Sequence, residues 1–148
     1  MITRKSLGGA LPSALCLAIV TMTWSPPTLA AEPSKAHSPP DATVQPLLQK
    51  TLHDLPGKET LMLTVAYPPG GSSLPHRHNA HTFVYVLEGS VVMGVKGSAP
   101  QTLIAGQTFY ESPTDVHEVS RNASDTKPAK LLVVFIKTVG AAATVPDK

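Results

Sequence analysis

The chain has 148 residues, with 12 basic and 10 acidic side chains and a formal charge of +2 at neutral pH. That length allows one ordinary domain and excludes a large multidomain enzyme. Its one cysteine, Cys16, and its one tryptophan, Trp24, both fall near the N-terminus, so the remainder has no disulfide framework.

Residues 1–30 read as a secretory signal peptide. Arg4 and Lys5 make a basic start, Leu7 to Trp24 is mostly apolar and uncharged, and Thr28-Leu29-Ala30 offers a small-residue cleavage site. Gly8, Gly9 and Pro12 interrupt the apolar run, which argues against a retained span of about 20 apolar residues. The expected location is the bacterial periplasm or the exterior, with no integral membrane span once the signal is removed. Loss of Arg4 and Lys5 leaves 10 basic and 10 acidic residues, so no basic patch argues for nucleic acid. A cysteine-free exported domain must be held by its apolar core, a metal or a partner subunit.

Residues 31–43 are polar and rich in proline and read as a disordered linker. A β domain is expected over 44–139. Within it, Val44 to His53 carries apolar residues at 44, 47, 48 and 52, a spacing that suits a short helix or an irregular arm. Pro56-Gly57 ends it. Leu61 to Tyr67 has the alternation of a strand, which Pro68-Pro69-Gly70-Gly71 breaks. Phe83 to Leu87 is dense in β-branched and aromatic residues. Glu88-Gly89-Ser90 turns the chain into Val91 to Val95, and Lys96 to Pro100 makes another loop. Short strands follow at Thr102 to Ala105, Thr108 to Tyr110 and His117 to Ser120. Leu131 to Val139 is the most apolar run and is expected to be a buried strand. Residues 140–148 are expected to form a flexible tail. Many short strands with frequent turn signals predict an all-β sandwich or barrel.

Six histidines punctuate the chain, and three of them fall in His76-Arg77-His78-Asn79-Ala80-His81. A strand sends residues i and i+2 to one face, so His76 and His78 can aim two imidazoles at one point. Imidazole suits zinc, copper, iron and nickel. His117 supplies a third candidate ligand. His81 is a further candidate, although an ideal strand turns it to the opposite face. Glu88, Glu111 and Glu118 are expected to be solvated, with Glu118 facing away from His117. Phe83, Tyr85, Phe109 and Tyr110 are expected to be core or pocket wall, and Met62 and Met93 core.

The spacing around these histidines resembles the cupin superfamily. The first cupin motif runs glycine, H-x-H, glutamate, glycine; here Gly70, His76-Arg77-His78, Thr82 and Gly89 keep its intervals. The second motif is followed loosely by Gly106, Pro113, His117 and Asn122, with Thr114 where glycine is usual. The resemblance implies a double-stranded β-helix, the cupin or jelly-roll barrel, over about Leu61 to Val139. It implies that His76, His78 and His117 hold a divalent transition metal (Fe, Mn, Zn, Ni or Cu) inside the barrel. Thr82 stands where the family has its glutamate ligand. Three neutral imidazoles leave the full charge of the ion uncompensated and favour an anionic partner. Thr82, Asn79 or His81 are candidates to orient the ligand imidazoles, and Phe83 and Tyr85 to shape a pocket. Two functions fit: a metal-dependent enzyme such as a dioxygenase or isomerase acting on a small anionic or phenolic molecule, or a non-catalytic module binding a small anion or the metal itself. A homodimer is compatible with the resemblance.

Other motifs fall short. The string His76-x-His78-x-x-His81 is similar to the zinc string of metallo-β-lactamase-like hydrolases, but Ala80 replaces its aspartate ligand. His117-Glu118-Val119-Ser120-Arg121 begins like H-E-x-x-H and ends in arginine. There is no G-x-S-x-G elbow and no phosphate-binding glycine loop.

Overall fold

Alternating side chains divide the strands of this chain into an inner and an outer face, and the inner faces meet. The computed structural model describes residues 41–147; the segment read as a signal peptide and nearly all of the segment read as a linker lie outside the described residues. Eleven strands and no helix form among the described residues. They are β1 (Thr43–Thr51), β2 (Lys58–Tyr67), β3 (Ser72–Ser73), β4 (His76–Arg77), β5 (His81–Glu88), β6 (Ser90–Val95), β7 (Gln101–Ile104), β8 (Thr108–Glu111), β9 (His117–Asn122), β10 (Ala129–Thr138) and β11 (Val145–Pro146).

One antiparallel sheet has the order β1-β2-β10-β5-β8, the other β11-β4-β9-β6-β7, with β3 added to β9. The apolar run Leu131 to Ile136 lies in β10, at the centre of the first sheet between β2 and β5. Its inward residues Leu131, Val133 and Phe135 meet Leu63, Tyr67, Val84 and Val86 of the same sheet and Val91, Met93 and Leu103 of the facing one. Burial of these side chains stabilises the fold at roughly 25 cal/mol per Å² of apolar surface. Met62, expected in the core, is only half-buried, on the outer face of β2. Tyr67 also ties the two layers by polar bonds, its hydroxyl lying 2.8 Å from Ser73 Oγ and 2.7 Å from Ser120 Oγ.

The segment read as a helix or arm is strand β1, on the edge of the first sheet. The spacing 44, 47, 48 arises from a bulge: Pro46 pairs with Leu63 and Leu48 with Met62, so Leu47 is an extra residue that shifts the alternation. Pro46 is tolerated there because an edge strand can spare an N–H. The C-terminal segment likewise differs from the expected flexible tail. Val145 and Pro146 pair with Arg77 and His76, and Arg77 Nε donates to Asp147 Oδ1 at 2.8 Å.

A buried polar cluster closes the barrel end from which that C-terminal strap departs. Lys137, on the inner face of β10, is ion-paired with Glu59 of β2, and Gln49 Nε2 donates to Glu59 at 2.8 Å. The Gly140 N–H donates to the same carboxylate at 3.1 Å. The Gln49 and Lys137 bonds hold the Glu59 carboxyl down at about 2 from its usual 4.5. A carboxylate depressed on folding stabilises the native state above its unfolded pKa, and that contribution is lost as pH falls through the folded one. The stability gap between the wild-type chain and Glu59→Gln should therefore be constant above about pH 5 and narrow between 4.5 and 2. Urea unfolding of both proteins across that range checks it; a gap independent of pH would contradict it.

Candidate metal centre

The H-x-H pair enters the structure where β4 runs into a turn. His76 pairs across the sheet with His117 of β9, which sets two of the three rings side by side. Asn79 adopts a left-handed backbone, φ +48°, and turns the chain from His78 into β5. The imidazoles of His76, His78 and His117 converge, each offering a nitrogen within 4.8 Å of the others. Ligands about 2.0–2.1 Å from one ion in a tetrahedral site stand about 3.3 Å apart, so the rings would draw inward on binding.

The three rings are held differently. His76 Nδ1 lies 2.6 Å from the Leu74 carbonyl oxygen, and His78 Nδ1 lies 2.9 Å from that of Ala143. An imidazole whose Nδ1–H donates to a carbonyl presents Nε2 as its lone-pair nitrogen. The His78 bond comes from the C-terminal strap, which thus orients a ligand candidate. His117 is 3% exposed, and neither of its ring nitrogens is hydrogen-bonded. Burial, with His76 and His78 nearby, pushes its pKa down to about 3, and burial takes His78 down to about 4. Both rings are therefore neutral at pH 7 and free to ligate.

The largest departure from expectation is Glu111. It was expected to be solvated; it is 2% exposed, at the inner end of β8. Its Oε2 lies 3.2 Å from His117 Nδ1 and 3.7 Å from His78 Nε2, and its Oε1 has no hydrogen-bond partner. Burial, with Asp115 adding to it, pushes the carboxyl up to about 8. Thr82, fully buried with an unpartnered Oγ1, is the cross-strand partner of Glu111. The alternation along Thr108 to Glu111 carried the signal: Phe109 and Glu111 share a face, and Phe109 points towards the core.

Other expected site residues lie elsewhere. His81 is exposed on the outer face of β5, with Nδ1 2.7 Å from the Tyr110 hydroxyl, and does not join the cluster. Phe83 and Tyr85 share that outer face, 46% and 43% exposed, and line a separate hollow there rather than the histidine cavity. The two-residue period that buries Thr82, Val84 and Val86 dictates both results. Asn79 is exposed at its turn and does not line the cavity, whereas Thr82 does.

That cavity measures about 910 Å³ and runs between the two sheets. One wall is apolar, formed by Leu63, Val65, Val84, Leu131, Val133 and Phe135. The polar end holds the three histidines and Glu111. No lysine or arginine lines it among the described residues. Buried polar atoms without partners are rare in native structures. Four cluster here: Thr82 Oγ1, Glu111 Oε1 and both nitrogens of His117. A cation coordinated by neutral imidazoles beside a carboxyl satisfies such a set, so the residues fit a divalent metal.

A face-to-face β barrel with a histidine cluster inside one end defines a class of small-molecule and metal-binding proteins. Residues 63–135 match the cupin domain family, and the chain is a small member of the cupin superfamily. Among solved structures it is similar to a Klebsiella pneumoniae protein with a double-stranded β-helix domain, at 16% identity, covering 78% of this chain and 90% of that one, TM-score 0.58. It is similar to an oxalate oxidase in complex with the substrate analogue glycolate, at 26% identity over 66% of this chain and 55% of that one, TM-score 0.51. It is also similar to the DMSP lyase DddQ from Ruegeria pomeroyi DSS-3, at 22% identity over 59% and 42%, TM-score 0.53. The chain thus spans about half the length of those two enzymes. No curated relative matches it in sequence. No helix among the described residues is long and apolar enough to cross a membrane.

Proposed function

We propose that the chain is an exported, metal-dependent cupin enzyme of the oxygenase or isomerase type, acting in the periplasm or outside the cell on a small carboxylate, enolate or phenolate. The observation that carries this reading is the convergence of His76, His78 and His117 at the polar end of a largely apolar cavity. These three residues would hold an Fe, Mn, Zn, Ni or Cu ion. Structural zinc usually has four protein ligands, whereas three leave room for a small molecule. A bound ion would supply a Lewis-acid centre, or a redox centre if it is iron or copper.

The chain's own residues set the rest of the chemistry. With no lysine or arginine lining the cavity, an anionic substrate group has the histidine cluster as its point of attachment. The apolar wall from β2, β5 and β10 receives the body of the molecule and excludes water from it. Glu111, buried with its Oε2 3.2 Å from His117 Nδ1, sets a carboxyl group beside whatever binds at the histidine cluster.

Metal-loaded protein tested for oxygen uptake and for isomerisation against a panel of phenols and short carboxylic acids checks the reading. Turnover of one class is the expected result. Binding of the same compounds without turnover would replace the enzyme with a non-catalytic capture module. Failure to bind any of them would sink both and leave only a module that binds the metal itself.

A further inference from the structure

His76 and His78 each have a main-chain carbonyl at Nδ1 that fixes which nitrogen faces the cluster. His117, the most buried of the three, makes no such bond at good geometry, and the Val119 main chain beside it is only a weak partner. A ligand imidazole without an orienting acceptor can rotate or adopt the wrong tautomer, and both weaken metal binding. The carboxylate beside it is Glu111, whose Oε2 stands 3.2 Å from His117 Nδ1. Glu111 reaches this point from β8, directly across from Thr82 on β5. Directly opposed residues in an antiparallel pair have Cβ atoms about 4.5–5.5 Å apart, so a side chain from either strand can serve the same corner of the cavity.

We propose that Glu111 is the positioning residue of the metal centre: its carboxylate takes the Nδ1–H of His117, presents Nε2 of that ring to the ion, and supplies from β8 the negative charge that Thr82 does not supply from β5. The inference rests on the metal-centre reading above and adds a role for a residue outside the histidine set. It also accounts for a buried acid at a position where solvent exposure was expected.

A double-mutant cycle on metal affinity tests it, with Co²⁺ as the probe titrated into metal-free protein. Glu111→Gln preserves shape and removes the charge, and should weaken Co²⁺ binding about 10–100-fold. In a His117→Ala background the same substitution should have little further effect, because Glu111 acts through that ring. Thermal unfolding of the metal-free proteins shows whether each variant folds. If Glu111→Gln does not fold, Glu111→Asp, which draws the carboxylate back by one methylene, enters the same cycle. An undiminished affinity in the Glu111 variant would overturn the proposal. So would an equal loss in both backgrounds, which would make Glu111 a direct ligand. If the wild-type chain itself takes up no Co²⁺, the metal-centre reading fails, and the positioning role fails with it.

Discussion

Replacing His78 with alanine is expected to lower the affinity for a divalent ion by more than about 100-fold, beyond the 10–100-fold typical of residues that only orient ligands. His78 is the ligand candidate with the clearest geometry. Its Nδ1 is committed to the Ala143 carbonyl, so Nε2 is left for an ion, and its ring rests 4.9 Å from that of Phe135. Removing the ring takes away one of three convergent nitrogens and also one of the contacts that hold the C-terminal strap. The two sheets should stay paired, since none of their ladders passes through the His78 side chain. Calorimetric titration of Zn²⁺ into the two proteins, with thermal unfolding in the absence of metal, separates these effects. Unchanged affinity would remove His78 from the site.

The largest effect on folding is expected at Gly89. This residue makes the turn from β5 (His81–Glu88) into β6 (Ser90–Val95) with φ +73°, a conformation that costs other residues about 1–2 kcal/mol. A Cβ there would collide with the Pro128 carbonyl oxygen and lie 2.9 Å from Ala129 Cα. Both obstacles are backbone, and Pro128 leads into the central strand β10, so the neighbours cannot yield by changing rotamer. Overpacking of this kind costs a further ~1–3 kcal/mol. Gly89→Ala should therefore lose about 2–5 kcal/mol, a large fraction of the stability of a small domain. The control is Gly97→Ala, also at positive φ but with open space around it, which should lose only the backbone part. Equal losses in the two variants would show that close packing at Gly89 is unimportant.

Gly89 also shows how much of the fold was legible in the sequence. The β2, β5, β6 and β10 segments announce themselves by alternation or by dense β-branched content, and turn residues mark where each ends. Strand β1 was hidden because the bulge at Leu47 gives an apolar spacing of three and four residues, the same as one face of a helix. The strap at β11 was hidden for a different reason. A run of alanines has no period of its own, and its order comes from contacts that neighbouring sequence does not reveal: Val145 and Pro146 against β4, Asp147 against Arg77, and the Ala143 carbonyl against His78.

The site divides along the same line. His76 and His78 are two residues apart in sequence, so strand geometry alone brings them together. His117 entered through its resemblance to the second cupin motif, and cross-strand pairing with His76 sets it beside them. Glu111 was misplaced because acidic residues are usually solvated, and because no motif position asks for a carboxylate there. Its burial is a tertiary consequence: β8 is an edge strand whose last inward position opens on the cavity. His81, Phe83 and Tyr85 erred the other way, as chemically suitable side chains that the period-two alternation of β5 turns outward.

The assignment of a metal centre is tested most directly by the metal content of the chain as purified from cells, compared with the His76→Ala/His117→Ala variant prepared alongside. About one transition-metal ion per chain in the first, and none in the second, is the expected result. A fully folded wild-type chain that carries no metal and takes none up on addition would contradict it.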